Sequence, residues 1–211
     1  MQMMQLRKAT VNMKRFHGRK NPSIALPFPV TPALRLAQLS FNLRFAGVEP
    51  VVLRNWSELP LSAPNVVIGS VDDLLRLSEQ SALGAIDTSS IDHALVVITR
   101  YGAEPLTDVV RVTLWQAFGV PIFELYLGLD DSLLASECDA HEGWHMTPGV
   151  NFEFLDGGEM VLDGAGNTGL RTGLSASLDP SPCPCGRPEP HLLHMNQVWR
   201  ADNSRYLAVS A

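Results

Sequence analysis

The sequence has few cysteines and no long apolar run. Three cysteines in 211 residues are too few for a disulfide framework, so the thiols are expected to be free or bound to a metal. No stretch of about 18 consecutive apolar residues is present, so no ordinary membrane-spanning helix is expected. The N-terminus also lacks the apolar stretch of a secretory signal. These absences predict a globular protein of a reducing, cytoplasmic compartment.

Acidic residues are missing from the start of the chain. Residues 1–48 contain no Asp or Glu but eight bases, namely Arg7, Lys8, Lys14, Arg15, Arg19, Lys20, Arg35 and Arg44. The remainder carries all 22 acidic residues against eight arginines. We expect residues 1–30 to form a basic arm that is attracted to the acidic body. An organelle transit peptide fits less well, because prolines interrupt the helix it would need.

Neither nucleic acid nor a membrane is an expected partner of this arm. Proteins that bind single-stranded nucleic acid interleave aromatic residues with their bases. Here only Phe16 lies between Arg7 and Lys20.

An α/β pattern occupies residues 31–130. Helices are predicted over residues 31–47, with Thr31 as a possible N-cap, 70–83, with Ser70 as N-cap, and 106–119, closed by Gly119. Strands are predicted at "VEPVVL" (48–53, short and buried), "NVVIGS" (65–70), "HALVVIT" (93–99) and "VPIFELYLG" (120–128). Strands alternating with helices at these spacings predict crossovers and a mainly parallel sheet with flanking helices.

Residues 131–211 predict a small β-rich subdomain, because helical periodicity disappears and turn residues dominate. "HMTPGVNFEFLDGGEMVLDG" indicates two strands joined by a tight turn, and "GLRTGLSASLDP" a further short strand. The segment "GAGNTG" (164–169) matches GxGxxG, but no helical pattern follows it, so a hairpin turn is predicted rather than a dinucleotide site. The end, from "HLLHMNQVW" onward, predicts a strand pair or a packed tail.

All three cysteines fall in two clusters that also hold turn residues. Cys138 has His141 three residues and His145 seven residues further on, while Cys183 and Cys185 flank one proline. Zinc takes four ligands from thiolate sulfur and imidazole nitrogen. The two clusters predict a closed, structural Cys₃His zinc site, with either histidine as the nitrogen ligand.

The chain resembles the phenylacetate–coenzyme A ligase family of adenylate-forming enzymes over residues 90–192. The resemblance lies in "ITRYGAEPLTDVVRVTLWQAFGVPIFELYLG", "ECDAHEGWHM", "GGEMVLDG", "LRTG" and "CPCGRPEPHL", in that order. It implies part of an adenylate-forming N-terminal domain followed by a zinc-clasped subdomain. In some family members the matching cysteines and the histidine of "GWH" hold a structural zinc, which favours His145 as the ligand.

The resemblance also implies nucleotide-binding positions, of which this chain keeps few. Glu104, Tyr126, Asp130 and Arg171 match the family's adenylate-contacting motifs, with ATP and Mg²⁺ as the implied cofactors. Leu174, however, stands where the family has the ribose-binding aspartate, and Leu129 stands where it has a hydroxyl residue. No phosphate loop ending in Gly-x-Pro is present, and no lysine follows Lys20 to act as the family's catalytic lysine.

These losses imply a non-catalytic, zinc-stabilised homologue that acts as a binding or partner protein. The alternative is an active component of a carboxylate–CoA ligase that another chain completes. Because the family's nucleotide-binding domain is longer than this chain, either a homo-oligomer or a complementary protein chain is expected as partner. A nucleotide or an acyl group is the expected ligand.

Overall fold

The computed structural model describes residues 23–164 and 167–198. Within these ranges, eleven strands form one sheet in the order β2-β1-β3-β4-β5-β6-β7-β11-β10-β9-β8. The strands and helices up to the end of the parallel region are β1 (Leu36–Leu39), β2 (Val51–Leu53), a 3-10 turn (Trp56–Glu58), α1 (Leu59–Ser62), β3 (Val66–Gly69), α2 (Val71–Ala82), β4 (Ala94–Arg100), α3 (Asp108–Phe118) and β5 (Ile122–Leu127). Those that follow are β6 (Leu133–Glu137), β7 (Trp144–Met146), β8 (Val150–Phe154), β9 (Glu159–Gly164), β10 (Asn167–Asp179) and β11 (His191–Gln197).

The two longer helices confirm the sequence prediction, including their ends. Ser70 caps α2, because its side chain accepts a hydrogen bond from the backbone N–H of Asp73. Thr107 caps α3 in the same way. Gly119 ends α3 in the left-handed conformation with φ 68°, which glycine adopts without a side-chain clash.

The helix predicted over residues 31–47 is wrong. Leu36–Leu39 is a strand, and all four of its residues are buried because β1 lies between β2 and β3. The chain then turns at Ser40, where φ is 63°, and the Gln38 side chain holds the turn through two hydrogen bonds to the Leu43 backbone. Apolar positions 41, 43 and 45 are buried in alternation, which is the period of an extended chain.

The strand predicted at residues 48–53 exists as β2, but of its three residues only Leu53 is buried. β2 lies at one edge of the sheet, and the side chains of Val51 and Val52 are about half exposed. A short apolar run is compatible with either position, so the sequence does not distinguish them.

The prediction of a mainly parallel sheet is also wrong. Pairing is parallel from β2 to β5 and antiparallel from β5 to β8. Parallel neighbours need a crossover of a dozen or more residues. The loops after β5 and β6 are much shorter than that, so these strands must reverse. We call β6–β11 the antiparallel half; its strands β6 and β7 were not predicted.

The hairpins of the antiparallel half agree with the sequence prediction. β8 pairs with β9 across the "DGG" turn. β9 pairs antiparallel with β10, Gly164 opposite Asn167, and no helix follows, so "GAGNTG" joins two hairpin strands. Its Ala165 and Gly166 lie outside the described residues. "GLRTGLSASLD" belongs to the 13-residue strand β10, and "HLLHMNQ" is β11.

Apolar clusters cover both faces of the sheet. α1–α3 pack on one face of the parallel strands, and residues 24–34 and 41–48, which flank β1, pack on the other through side chains such as Ile24 and Phe28. A third cluster, around Tyr126, Leu134 and Leu174, fills the antiparallel half. Residues 1–22 of the basic arm lie outside the described residues. Among the helices described, none combines the length and apolar character needed to cross a bilayer.

Candidate metal centre

Four potential metal ligands lie together in the antiparallel half. Cys138 directly follows β6, His145 lies in β7, and Cys183 and Cys185 lie in the connection between β10 and β11. β7 pairs with both β6 and β11, which brings these segments side by side. The ligand atoms of the four residues all lie within 4.8 Å of one another. We refer to them as the Cys₃His cluster.

The separations within the Cys₃His cluster suit a tetrahedral ion. The sulfurs of Cys138 and Cys183 are 3.6 Å apart, and the sulfur of Cys185 is 3.3 Å from Nε2 of His145. With Zn–S bonds of about 2.3 Å and Zn–N bonds of about 2.0 Å, tetrahedral ligand atoms lie roughly 3.5–3.8 Å apart. A disulfide would need sulfurs about 2.05 Å apart. Three soft sulfurs and one imidazole are a donor set that zinc favours, so the residues fit the ion.

Two tight backbone features shape the cluster. The backbone N–H of Cys183 donates to the carbonyl of Arg187, and Gly186, with φ 88°, donates back to the carbonyl of Cys183. This turn holds both cysteines of the Cys-Pro-Cys segment on one side. In the other segment, a Cβ on Gly143 would lie 2.4 Å from the carbonyl oxygen of Leu192. Only glycine therefore allows the chain before His145 to approach β11 so closely.

The structure separates the two histidines that the sequence leaves open. His145 belongs to the Cys₃His cluster and is buried. His141 turns away, with φ 53°, and its ring stacks on Phe123 at a centroid distance of 4.6 Å. The backbone N–H of His141 donates to the carbonyl of Cys138, so residues 138–141 form a turn. This arrangement favours His145 as the nitrogen ligand, as the family resemblance implies.

The protonation of the cluster is set by burial and by mutual proximity. Burial, followed by the neighbouring thiols, raises the pKa of Cys138 to about 12. Burial acts in the same direction on Cys185, but the backbone N–H of Arg187 and the neighbouring thiols outweigh it and lower the pKa of Cys185. Burial, then Arg187, lowers the pKa of His145, which leaves a neutral imidazole able to donate its lone pair. A bound cation would displace the remaining thiol protons.

Three of the four positions implied for a nucleotide lie near the carboxyl ends of β4 and β5. Tyr126 lies in β5 and Asp130 just beyond it, while Arg171 reaches this end because the Tyr101 hydroxyl donates to its carbonyl. Glu104 instead lines a groove beside α3. Among the described residues that line this groove, Tyr126, Asp130 and Arg171 do not occur.

At this end of the sheet, the polar side chains of Asp130 and Arg171 are engaged within the protein, whereas the buried hydroxyl of Tyr126 has no hydrogen-bond partner among the described residues. Asp130 accepts hydrogen bonds from the backbone N–H and the hydroxyl of Ser132, at 3.2 and 2.5 Å. The Arg171 guanidinium forms an ion pair with Glu159. Tyr126 is fully buried, and burial raises the pKa of its hydroxyl.

Leu174 belongs to the apolar core. It is 1% exposed and packs in the same cluster as Tyr126 and Met160. The position that the resemblance assigns to a ribose-binding carboxylate is therefore occupied by a core side chain. A buried ribose hydroxyl without an acceptor would cost about 1–3 kcal/mol.

A network of buried polar side chains lies next to the Cys₃His cluster, and it was not predicted from the sequence. The Glu124 carboxylate accepts hydrogen bonds from the hydroxyl of Thr99 and from the backbone N–H of Leu106. Glu137 accepts from the backbone N–H of Glu124 at 2.7 Å and from both terminal nitrogens of Arg111. The sequence feature that could have indicated this network is the acid inside the apolar strand "VPIFELYLG", since buried carboxylates need partners.

Glu124 predicts a measurable pH dependence of stability. Burial raises its pKa from 4.5 to about 7, and Glu137 adds to this, while Thr99 acts against it. A group whose pKa is higher in the folded state contributes stability below its unfolded pKa and loses it as pH rises. Relative to Glu124→Gln, the native protein should therefore lose stability from about pH 4.5 to 7, by at most about 1.4 kcal/mol per pH unit.

Urea denaturation of the native protein and of Glu124→Gln across this pH range measures that difference. Both proteins keep the Cys₃His cluster, so its own titration cancels. Glu153→Gln, at an exposed position of β8, is the matched control. Parallel stability profiles for the native protein and Glu124→Gln would contradict the prediction.

Comparison with known proteins identifies the fold through solved structures. No family model and no curated protein matches the chain. Among solved structures, a 2-hydroxyisobutyryl-CoA ligase in complex with 2-HIB-AMP and CoA, in its thioesterification state, matches with a TM-score of 0.59 at 13% identity, over 78% of this chain and 43% of that one. The coronafacic acid ligase of Pectobacterium brasiliense matches with a TM-score of 0.55 at 12% identity, over 83% of this chain and 41% of that one.

The chain has the fold of part of these solved ligases. An open conformation of the 2-hydroxyisobutyryl-CoA ligase gives the same result, with a TM-score of 0.58 at 12% identity, over 75% of this chain and 43% of that one. This chain spans less than half the length of these solved ligases. At such low identities the likeness concerns the fold alone.

Proposed function

We propose that this protein is a zinc-stabilised, non-catalytic homologue of phenylacetate–CoA ligase-like enzymes that acts as a binding or partner protein. The observation that carries the proposal is a contrast between two sites. The Cys₃His cluster is fully assembled. At the implied nucleotide site, Leu174 is part of the core and the side chains of Asp130 and Arg171 are engaged within the protein.

Zinc has a structural role in this proposal. All four candidate ligands come from the protein, and three of them are buried, so no coordination position remains for water or substrate. The ion would join the turn after β6, the strand β7 and the β10–β11 connection. Free thiols are kept reduced in the cytoplasm, which is the compartment that we assign to the protein.

The composition, as well as the contacts of Leu174 and Arg171, supports the proposal that the protein is non-catalytic. An adenylate has a negative charge and a ribose diol, and its site needs cations and acceptors. The chain has no lysine beyond Lys20 and no Ser/Thr/Gly-rich loop ending in Gly-x-Pro. Arg171 is neutralised by Glu159, so using it for phosphate would break this ion pair.

An active ligase component completed by another chain is the second candidate. The observation that favours it is coverage: the chain corresponds to 43% or less of each of the solved ligases named above. The exposed edge strand β2, with Val51 and Val52, offers a place for such a chain or for a second copy to continue the sheet. Sedimentation should then show a species larger than the monomer; a strictly monomeric protein would exclude the homo-oligomer.

ATP–pyrophosphate exchange with a panel of aryl and acyl carboxylates tests the proposed function. We expect exchange at background level, and the 2-hydroxyisobutyryl-CoA ligase, which was solved with 2-HIB-AMP, serves as the active control. Exchange above background that is lost in Arg171→Gln would overturn the non-catalytic proposal and favour the second candidate. Exchange that Arg171→Gln retains belongs to this chain if it co-elutes with the chain in size-exclusion chromatography, which also overturns the proposal, and to a contaminating enzyme if it does not.

A further inference from the structure

An open groove runs between α3 and the antiparallel half of the sheet. Its volume is about 1140 Å³. α3 contributes Val112 and Trp115, which are 52% and 59% exposed, and the sheet contributes side chains of β7 and β11, including Trp144 and Met195. We call it the α3 groove. Two large apolar side chains on one helix face are a surface that another segment would be expected to cover.

The rim of the α3 groove is acidic. Glu104, Asp108, Glu142 and Asp179 line it, and none of them forms one of the ion pairs seen among the described residues. The single arginine in the lining, Arg111, is already paired with Glu137. The groove therefore presents four carboxylates without an ion-pair partner among the described residues, together with the rings of His141, His191 and His194, around an apolar floor, and it fits a segment that is both basic and apolar.

Two segments outside the described residues are both basic and apolar. Residues 199–211 carry two arginines against one acid, whereas residues 1–22 have a much larger positive charge. Residues 1–22 carry six bases and no acid, together with apolar side chains such as Leu6, Val11 and Phe16. The described chain begins on the face of the sheet opposite to α3, and a line of packed rings leads from there to the groove. The ring of Phe28 packs on that of Phe123 at 5.1 Å, and Phe123 stacks on His141, which lines the groove. Twenty-two extended residues can span up to about 70 Å, so residues 1–22 are long enough to reach the groove.

We propose that residues 1–22 dock in the α3 groove of their own chain. Docking places positive charge against the acidic rim and covers Val112 and Trp115. A second copy is a poorer occupant, because residues 23–211 carry 22 acids against ten arginines, and two such bodies repel each other. The inference depends neither on bound zinc nor on ligase activity.

Fluorine NMR of the full chain labelled with 5-fluorotryptophan tests the proposal. Trp115→Phe assigns the Trp115 resonance, and the solvent-isotope shift measures its exposure. The arm variant replaces Arg7, Lys8, Lys14, Arg15, Arg19 and Lys20 with glutamine. Because Trp115 is 59% exposed in the open groove, its isotope shift should be roughly twofold larger in the arm variant than in the native chain. Trp56, which is buried in the core, is the internal control.

Two further measurements make the test specific. A synthetic peptide of residues 1–22, added to the arm variant, should restore the native Trp115 resonance, and the same peptide with its six bases replaced by glutamine should not. Glu104→Gln combined with Asp179→Asn should reproduce the arm variant. Identical Trp115 resonances in the native chain and the arm variant would overturn the proposal. So would a Trp115 shift that appears only in a dimer, since the occupant would then be a second copy.

Discussion

Cys183→Ser is expected to abolish stoichiometric zinc binding and to lower the melting temperature by at least about 10 °C. Cys183 is 3% exposed, and its sulfur lies 3.6 Å from that of Cys138. Structural zinc contributes its binding free energy to folding, about 10–16 kcal/mol in small zinc domains. Only a few kcal/mol of that are needed for the expected shift, because each kcal/mol moves the melting temperature of a chain of this size by about 2–4 °C.

Metal analysis and thermal denaturation measure this effect. The native protein, purified without added zinc, should contain close to one zinc per chain, and a chelator should destabilise it while leaving Cys183→Ser unchanged. His141→Asn is the matched control. It removes the other candidate histidine, and Asn tolerates the positive φ at that position. A metal-free native protein that is fully folded would refute the zinc site, and so would full metal content in Cys183→Ser.

Arg111→Met is expected to destabilise the protein by about 3 kcal/mol. The arginine donates two hydrogen bonds to Glu137 and one to the carbonyl of Ile122, and so ties α3 to β5 and β6. Its removal leaves the Glu137 carboxylate, only 6% exposed, without a cation. Removing one partner of a buried pair costs more than the pair contributes, because the remaining charge stays desolvated.

Urea denaturation of Arg111→Met and Arg100→Met separates this effect from the loss of a surface charge. Arg100 pairs with Asp131 at 2.9 Å, but both side chains are well exposed, so its loss should cost less than about 1 kcal/mol. Adding Glu137→Gln to Arg111→Met should recover part of the lost stability. Equal costs for the two single variants would show that the Glu137 carboxylate does not need its cation.

The elements that were predicted correctly are those with a strong local signal. α3 has an N-cap, an acid in its first turn and a C-terminal glycine, so its bounds follow from nearby residues. β4 is a run of apolar, β-branched residues between turns. The prediction failed at residues 31–47, because apolar residues at positions 34, 36, 41, 43 and 45 satisfy both a helical face and an alternating strand.

The direction of the strands could not be predicted from local pattern. β6 contains the acid Glu137 and no obvious alternation, so it was not recognised as a strand. Because β6 and β7 were not predicted, the sequence did not indicate that the antiparallel half continues the sheet from β5. The partners of Glu137 are Arg111 and the backbone of Glu124, which lie 26 and 13 residues away. Such partners become neighbours only when the sheet is formed.

The sequence by itself determined the chemistry available to this protein. It limits thiol groups to Cys138, Cys183 and Cys185, with histidines near Cys138. It also has leucine at position 174 and no lysine after Lys20. The tertiary structure alone decided which of these groups meet. The pairing of β7 with β6 and β11 brings His145 to the sulfurs, while the turn after Cys138 directs His141 onto Phe123. The physical reason is that ligand sets and cores depend on distances between different strands. The spacing of residues along the sequence fixes distances only within a single strand.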